Sequence, residues 1–586
     1  MTAFRRRAAR EIAEARPAET LQPIMRKLVD DARAMLARGP ADARERAARA
    51  RADAVERIEP LHRQLREQCA RRGIGYHRAA TAEEAVAIVR QLLGNARRVA
   101  KSKSMVAEEI GLTHALRAAG IDVLETDIGE YIVDLEGRGP SHVTAPAIHL
   151  NRTRIREILA RAGAELPDDD PARLSRHIRD IVADFFRTAD AAITGANAVI
   201  AASGRIVAVE NEGNVALGIS HPALHIVVTG LEKVVADEAA ALAVLQVLAP
   251  SATAQPLTAF THVIGDPLPG QQRHLVVVDN GRSRILADPR YRDALRCIRC
   301  GACMNACPVY RAASGLAYGS PYMGPIGAVI SPLLWPGSRH ADLPFASTLC
   351  AACTEACPVG IPLHRMLLDL RADAVRTHRA GDRKERAAWA AWAALFSAPT
   401  GARAASALAR VGLRAAGRLV RPPAPGRADP RLLPEPAAPH DPALLGAAAP
   451  DRTPRSVIAP EEVLPPDLAG RFLARAEALG LQPAAAIDPI PGDLELAATA
   501  AVASTGSVLI TGPAADRRRL LSAARVILRV DPATIVEHPA GLQPYLGDGD
   551  ALILTGPSRT ADIEKVIVRG IHGSQDYRLV LEQPVR

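Results

Sequence analysis

Short apolar runs alternate with amphipathic stretches along residues 61–290. Each run is rich in Val, Ile or Leu and is bounded by Gly, Asn or Asp, which is typical of buried strands. Between the runs, stretches such as AEEAVAIVRQLL (82–93) repeat apolar residues at helical spacing. This alternation predicts an α/β domain, in which helices pack on a sheet. The predicted strands are RVAKSK, IDVLET, ANAVIAA, GRIVAVE, LHIVVTG and HLVVVDN.

The pattern changes on both sides of this domain. Residues 1–60 are polar, rich in Ala and Arg, and predict a helical segment. Residues 291–380 predict helices and loops, and residues 381–420 predict further helices. The Pro-rich stretch 421–466 cannot pack into a regular core and predicts a linker. Strand and helix patterns return over residues 467–586, which predicts a second, shorter α/β domain.

The last segment resembles a shortened copy of the first α/β domain. ANAVIAASGRIVAV (196–209) aligns with AATAAVASTGSVLI (497–510) when Gly204 is set against Gly506. Further along, HIVVTGLEKVV resembles RVILRVDPATIV, and HVIGDP followed by RHLVVVD resembles LILTGP followed by YRLVLE. Because the three matches fall in the same order, we predict two related α/β domains on either side of the helical segment.

Charge and composition exclude some functions. The net charge is +9, but the Arg residues of FRRRAAR and ARERAARARADAVER are interleaved with Glu and Asp at helical spacing. Such helices usually present a solvated face. No zinc finger, RNA-recognition signature or aromatic-basic groove is found in the sequence, so nucleic-acid binding is not predicted.

The sequence favours a cytoplasmic protein. Its apolar runs all fall short of the roughly 18 residues of a membrane span. The nearest is AAWAAWAALFSAP (387–399), which predicts a packed helix or one that associates peripherally with a membrane or a partner. The first residues lack an apolar signal core, and Glu11 and Glu14 argue against a transit peptide. In the cytosol, clustered cysteines indicate metal or redox chemistry more often than disulfides.

Four of the eight cysteines lie in one short run, CIRCGACMNACP (297–308). The spacing C-x2-C-x2-C-x3-C-P is typical of a cubane iron–sulfur cluster. Three thiolates reach one cluster from a tight loop, and in two-cluster ferredoxins the fourth cysteine binds the other cluster. The first run therefore predicts a second one.

The second run is CAACTEACP (350–358), and it is one cysteine short. Counting back from its last cysteine places the missing ligand at Ser347. The fourth iron is then held by the Ser347 oxygen, by water or by an external ligand, or it is absent, which gives a [3Fe-4S] cluster. The sequence leaves these alternatives open. Crossing the fourth ligands assigns Cys297, Cys300, Cys303 and Cys357 to the first cluster and Cys307, Cys350 and Cys353 to the second.

A zinc site is a weak alternative, because zinc is usually held by two separate pairs of ligands. The eighth cysteine, Cys69, is interpreted as an ordinary helix residue. The histidines beside apolar or Gly/Pro segments are interpreted as structural: His149, His221, His225 and His572.

The residues around the cysteines resemble a known family, the LutB-type iron–sulfur subunits of bacterial L-lactate utilisation. The resemblance is carried by CIRCGACMNACPVYR, AYGSPYMGPIGAVISPLL and LPFASTLCAACTEACPVGIPLH. It extends over about residues 20–420 through KSKSMVAEEIGL, TDIGEYIVDL, PSHVTAPAIH and NEGN. STGSVLITGP and LTGPSRTADIEKVIVRGIHG, near the end of the chain, are similar to the LutC partner of the same system.

The resemblance implies a fold and a cofactor. It implies a LUD domain of the NagB/RpiA/CoA-transferase-like α/β class over 61–290 and an α-helical two-cluster ferredoxin domain over 291–380. It also implies a shortened LutC-like LUD domain over 467–586. The implied cofactors are two [4Fe-4S] clusters, the second with three cysteine ligands.

The resemblance also implies a role. The chain would be the electron-transfer subunit of a complex that oxidises L-lactate to pyruvate, inactive alone and joined by a separate LutA-type Cys-rich subunit. No catalytic residue and no downstream electron acceptor is assigned. Two alternatives stay open, a heterodisulfide-reductase-like or glycolate-type redox subunit with another substrate, and a redox sensor that binds a small anion.

A small-anion site in the α/β domain is a further hypothesis. RRVAKSKS (97–104) predicts a strand that runs into a helix, which would bring Lys101, Lys103 and Ser104 to a helix N-terminus suited to carboxylate or phosphate. The alternative is N-capping by Ser104 with solvated lysines. Acidic residues that either line the same crevice or face solvent are Glu125, Asp127 and Glu130.

Overall fold

The computed structural model describes residues 3–377 apart from residues 16 and 338, then 383–396, 467–484, 487, 489–560, 563, 568–569 and 571–582. The chain forms two units, residues 1–373 with 462–586, and residues 374–461. In the smaller unit, the described residues include one helix, Arg383–Phe396. The predicted linker, 421–466, and residues 397–420 lie outside the described residues. In the described part of the chain, no helix is long and apolar enough to cross a membrane.

Four helices open the chain, and two of them pack against a later helix that is apolar on every side. The later helix, Glu238–Thr253, has all its residues from Ala241 to Ala252 buried, as expected of a helix without a polar face. The second and third opening helices pack against it. The opening helices are α1 (Ala3–Ala15), α2 (Pro17–Ala37), α3 (Ala43–Glu56) and α4 (Ile58–Arg71).

A six-stranded parallel sheet forms the first half of the α/β fold, with the strand order β1-β10-β7-β4-β2-β3. Its central strands are buried along nearly their whole length, which is usual for a parallel sheet covered on both faces. The strands are β1 (Ile74–Ala79), β2 (Arg98–Lys101), β3 (Asp122–Glu125), β4 (Ala191–Thr194), β7 (Leu224–Gly230) and β10 (Gln272–Val278). The helices of this half are α5 (Ala82–Leu93), α6 (Met105–Glu109), α7 (Leu112–Ala118), α8 (Ile128–Glu136), α9 (Arg152–Arg161), α10 (Pro171–Thr188), α11 (Asn214–Ser220), α12 (Glu238–Thr253) and α13 (Arg282–Ala287).

The end of the chain repeats this half in a shorter form. A four-stranded parallel sheet has the order β11-β20-β15-β12. In sheet position and in chain order, these strands correspond to β1, β10, β7 and β4 of the first sheet. Residues 485–492 stand where the first half has residues 80–190, and no counterpart of β2 or β3 is found among the described residues. The strands are β11 (Gln482–Ala484), β12 (Asp493–Ala497), β15 (Arg525–Val530) and β20 (Asp576–Leu581), and the helices are α20 (Leu468–Ala478) and α21 (Arg517–Ser522).

A third sheet joins the two halves. It has eight strands in the order β16-β13-β14-β17-β9-β6-β5-β8, so each half contributes four neighbouring strands. The first half contributes β5 (Ala198–Ile200), β6 (Ile206–Glu210), β8 (Val234–Val235) and β9 (Phe260–Ile264). The second half contributes β13 (Ala500–Val502), β14 (Ser507–Thr511), β16 (Ile535–Val536) and β17 (Ala551–Leu554), and a short hairpin pairs β18 (Arg559–Thr560) with β19 (Val568–Arg569).

The seam between the halves is the antiparallel pair of β9 and β17. His262 lies opposite Leu552, which is its equivalent in the sequence repeat, and Val263 lies opposite Ala551. Thr261 lies opposite Ile553, so the pairing is symmetric about residue 262. The two halves are therefore related by a local pseudo-twofold axis that passes through the seam.

The aligned glycines, Gly204 and Gly506, have the same backbone conformation and the same kind of neighbour in the two halves. Gly204 has φ +71° and Gly506 has φ +64°, in the left-handed region that favours glycine. A Cβ on Gly204 would meet the backbone of α4 at Gln68, and a Cβ on Gly506 would meet the backbone of α20 at Ala476. Each half thus lets a turn approach the equivalent helix closely.

The cysteine segment is helical. Short helices and 3-10 turns follow each other from Arg292 onward, with the second opening helix packed against two of them. The helices are α14 (Ala302–Ala306), α15 (Pro308–Ala313), α16 (Gly324–Leu334), α17 (Ala352–Ala356) and α18 (Leu363–Arg376), and α19 is Arg383–Phe396. The predicted class, an α/β fold joined to a helical ferredoxin-like region with a second α/β part, is confirmed.

Candidate iron–sulfur site

The first cysteine loop turns sharply into helix α14. Cys297 follows a 3-10 turn that ends at Arg296, and the backbone N–H of Arg299 donates to the Cys297 Sγ at 3.4 Å. Gly301 has φ +80° and precedes the helix, where a Cβ would lie 3.0 Å from the Val143 side chain. Cys303 lies in the helix and Cys307 at its end. All four thiols of this loop are buried.

The second loop repeats this backbone. Ala351, with φ +64°, precedes α17 as Gly301 precedes α14, and Leu349 has φ +56° where Arg299 has φ +62°. The backbone N–H of Leu349 donates to the Ser347 Oγ at 3.1 Å. Ser347 therefore occupies the position that is equivalent to Cys297, with its hydroxyl oxygen in place of the sulfur.

Cysteines from both loops surround one enclosed, mostly apolar space. Its other lining residues include Val143, Met304, Ile326 and Val359. Backbone N–H groups point at these sulfurs, since Ile361 donates to the Cys357 Sγ at 3.4 Å. The cysteines that line the space are Cys297, Cys300, Cys303 and Cys357, the set predicted for the first cluster.

The remaining three cysteines form a second group near the surface. Cys307 and Cys353 are buried, whereas Cys350 is exposed and Ser347 is half-buried. Burial, with the neighbouring charges of Cys307 and Cys350, raises the pKa of the Cys353 thiol to about 11. These are the residues predicted for the second cluster, and the structure brings them together.

The chemistry of the first group fits a bound metal cluster. Burial raises the pKa of the Cys300, Cys303 and Cys357 thiols, and the neighbouring thiols raise it further. Buried thiolates need a cation, and a coordinating metal removes the thiol proton outright. Among the described residues, no three His, Cys, Asp or Glu side chains lie close enough to share a single metal ion. Four thiols around a space of this kind suit a larger, polynuclear group.

Buried charges lie against the first cysteine group, and the sequence pattern did not reveal them. Arg282 donates to Glu109 at 2.6 Å and to Glu232 at 2.5 Å, and all three side chains are fully buried. Arg299 donates to the second oxygen of Glu232 at 3.1 Å and stacks on the ring of Tyr322, 4.4 Å from its centroid. Although burial alone would raise it, Arg282 and Arg299 hold the pKa of Glu232 below its usual range.

Two more buried cations complete this cluster of charges. Arg51, on α3, donates to the carbonyls of Val234 and Leu295. Burial lowers the pKa of Lys233 to about 8, and the charge of Arg299 lowers it as well. Arg51, Lys233 and Arg299 all interact electrostatically with Cys297. Charged residues are usually read from sequence as surface residues, so no sequence signal distinguished these.

The predicted anion site has its charges paired within the protein. Lys101 is fully buried and donates to Glu125 at 2.8 Å, with Glu108 at 3.3 Å. Lys103 donates to Asp127 at 2.9 Å. The Ser104 hydroxyl accepts from the Ala107 N–H at 3.3 Å, the N-cap of the alternative interpretation. The structure brings these residues together at one edge of the sheet, and an anion there would compete with carboxylates.

Glu130 adds a third carboxyl group near Lys101. Burial, with the neighbouring charge of Glu125, raises the pKa of Glu130 well above its ordinary value. The anion site stays a prediction.

The remaining candidates have ordinary surroundings. His149 contacts Ser141 and Glu136, and the buried His225 contacts Thr194 and Arg273. Cys69 is buried on α4, and burial raises the pKa of its thiol to about 12. In the smaller unit, the two Trp rings of α19 are more than half exposed and pack edge to face, at positions 389 and 392.

The fold and the cysteines together define the class of protein. A parallel α/β domain precedes a helical segment in which two equivalent loops surround a space with thiols, which is the arrangement of an iron–sulfur protein.

Comparison with known proteins gives the relatives. Residues 62–286 match the LUD domain, and residues 293–361 match the 4Fe-4S dicluster domain. Lactate utilization protein B of Geobacillus thermodenitrificans (strain NG80-2) is 46% identical over 317 residues, 53% of this chain and 66% of that protein. Its counterpart in Bacillus thuringiensis (strain Al Hakam) is 44% identical over 315 residues, with the same shares.

The chain therefore carries a LUD domain followed by a 4Fe-4S dicluster domain and is homologous to lactate utilization protein B. It spans 66% of the length of those relatives. A solved DUF162 family protein from Deinococcus radiodurans is 17% identical, covers 38% of this chain and 97% of its own, and gives a TM-score of 0.22, too low to bear on the fold.

Proposed function

We propose that this chain is the iron–sulfur electron-transfer subunit of an L-lactate utilisation complex that oxidises L-lactate to pyruvate. The observation that carries the proposal is the ring of Cys297, Cys300, Cys303 and Cys357 around one enclosed space, drawn from two loops with the same backbone. When bound, iron–sulfur clusters supply one-electron transfer. The relatives' name, lactate utilization protein B, supports the substrate.

Different residues of the chain would hold the two clusters. Three cysteines of the first loop and Cys357 of the second, with the N–H groups that point at their sulfurs and the apolar wall around them, would hold one [4Fe-4S] cluster and exclude water. Cys307, Cys350 and Cys353 would hold the second cluster beside Ser347, within reach of a partner because Cys350 is exposed. A LutA-type Cys-rich subunit is the proposed partner. Residues 467–586 are proposed as a shortened LutC-like LUD domain, on the strength of the repeat across the β9–β17 seam.

The test begins with the chain purified without oxygen. Two clusters predict about seven to eight irons per chain, an equal order of acid-labile sulfide, and EPR signals that change on reduction with dithionite. Cys300→Ser should lose about half of the iron, whereas Cys69→Ser, which removes a buried thiol outside the loops, should lose none. Colourless wild-type protein with zinc and no sulfide would refute the proposal.

The substrate is tested in the reconstituted complex. Lactate-dependent reduction of an artificial acceptor should appear with the Cys-rich subunit and should be lost in a Cys300→Ser, Cys353→Ser double variant. Preference for glycolate or another 2-hydroxy acid would replace lactate as the substrate but leave the electron-transfer role. Unimpaired lactate-dependent electron flow in the double variant would favour an anion sensor instead.

A further inference from the structure

The two cysteine loops share a backbone but differ at one side chain. Arg299 and Leu349 hold the same place in their loops, each two residues after the equivalent Cys297 and Ser347, and each with a left-handed backbone. The first loop therefore places a cation beside its sulfurs where the second places a hydrocarbon.

The Arg299 guanidinium is held by two neighbouring side chains. Its Nη2 donates to Glu232, and its plane stacks on Tyr322. Arg299 lines the same space as Cys297 and Cys300. Its Nη1 is buried and has no hydrogen-bond partner among the described residues. A buried donor without a partner is costly, so it calls for an explanation such as strain, a bound water or a bound group.

The surrounding charges favour a negative group in this space. Three buried cations, Arg51, Lys233 and Arg282, and the nearly buried Arg299, whose side chain is 9% exposed, are offset by two buried carboxylates, Glu109 and Glu232. The excess positive charge would complement the four thiolates of the first group. A cation in a low-dielectric site stabilises added negative charge strongly, and charge and hydrogen bonds to sulfur are what set cluster potentials.

We propose that Arg299 is a positioning and tuning residue that donates a hydrogen bond from Nη1 to a sulfur of the first cluster and raises its reduction potential above that of the second. The inference rests on the proposed function. Reduction adds one electron to the cluster and breaks no bond, and dithionite supplies that electron in the test. At equilibrium the electron would then reside on the buried cluster, next to the LUD domain, and not on the cluster beside the exposed Cys350.

The experiment is an EPR-monitored redox titration of the full chain, wild type against Arg299→Leu and Arg299→Lys. Leu is the residue that the second loop carries with φ +56°, so the backbone tolerates it there. Arg299→Leu should lower the equilibrium constant for reduction of the first cluster at least tenfold, a shift of about 59 mV for one electron. Arg299→Lys keeps the charge and should recover much of that shift. Lys27→Leu removes an exposed cation from α2 and should leave both midpoints unchanged.

The first cluster is identified as the component that survives in a Cys353→Ser variant. Equal midpoints in wild type and Arg299→Leu, or a shift confined to the second cluster, would overturn the role of Arg299 while the proposed function stands. If Arg299→Leu holds no first cluster, the Arg299→Lys and wild-type titrations decide, and a first cluster of lower potential than the second in wild type overturns the inference. Absence of any cluster in wild type would end the proposed function itself.

Discussion

Because Gly506 lies so close to helix α20, a side chain at this position should destabilise the protein. In Gly506→Ala, the new Cβ would clash with the Ala476 N and would lie 2.6 Å from the Arg475 carbonyl carbon, both backbone atoms. The left-handed φ of +64° costs a residue with a Cβ about 1–2 kcal/mol. Overpacking of this kind adds about 1–3 kcal/mol, so we expect a loss of about 2–4 kcal/mol in the free energy of unfolding once the gain from a less flexible unfolded chain is subtracted.

A matched control separates the two causes. Gly512 lies in the same half with φ +63°, but nothing lies within 4 Å of the position of its Cβ. Gly512→Ala should therefore cost only the backbone term, about 1 kcal/mol. Urea unfolding gives the free energies, and hydrogen exchange of Ser507–Thr511 reports on the repeat itself. A Gly506→Ala variant no less stable than Gly512→Ala would refute the close approach.

Three further predictions concern polar side chains. Glu109→Ala removes a buried partner of Arg282 and should lower the free energy of unfolding by about 3–5 kcal/mol. The control is Glu59→Ala at a partly exposed ion pair, which should cost less than about 1 kcal/mol. Urea unfolding measures both losses, and equal losses would contradict the burial of the Arg282 pair. Burial lowers the pKa of His572 to about 4, so the unfolded state binds the proton first as pH falls from about 6.5, and stability falls from there towards pH 4. Between pH 7 and 5, this group should lower the free energy of unfolding by about 2 kcal/mol. His572→Gln should therefore flatten the dependence of the urea midpoint on pH in that range. An unchanged dependence would assign the acid sensitivity to other groups. Ser347→Cys supplies a thiol at the position equivalent to Cys297, so the second cluster should hold four irons and any three-iron EPR signal of the oxidised protein should be lost. Ser347→Ala is the control. A three-iron signal that persists in Ser347→Cys would contradict the equivalence of the two positions.

Much of the fold follows from short-range pattern. All six strand candidates form strands, because apolar β-branched runs between turn residues have few other ways to be buried. Strands β1, β4, β8 and β9 were not among them, since IGYHRA and FTHVI carry polar residues and AAIT and VV are short. The repeat was visible because the order of three matches survives in one chain. The β9–β17 pairing was not, because it depends on residues almost 300 apart coming together.

The cysteine groups were predictable and the charges around them were not. The spacing of the thiols reflects the local geometry of a loop, which sequence records directly. The partners of Arg299 and Arg282 come from α6, from the turn after β7 and from the cysteine segment. Whether an Arg is solvated or buried depends on all of these elements at once. The same holds for Lys101, where sequence left solvation open and the structure encloses the ammonium group among carboxylates.

The β9–β17 seam has a consequence for how this chain can vary. An open strand edge is a template for association with another chain, and here the second half satisfies the edge of β9 permanently. A polypeptide that ended before residue 467 would keep the pairing of Phe260–Ile264 with β6 but leave the other edge of this strand open, and the symmetry of the seam makes a second copy of the same strand a fitting substitute. A homodimer would build such a seam from two identical subunits, whereas this molecule builds it from two unequal halves of one chain. The two halves can therefore differ in length, as the four-stranded and six-stranded parallel sheets do.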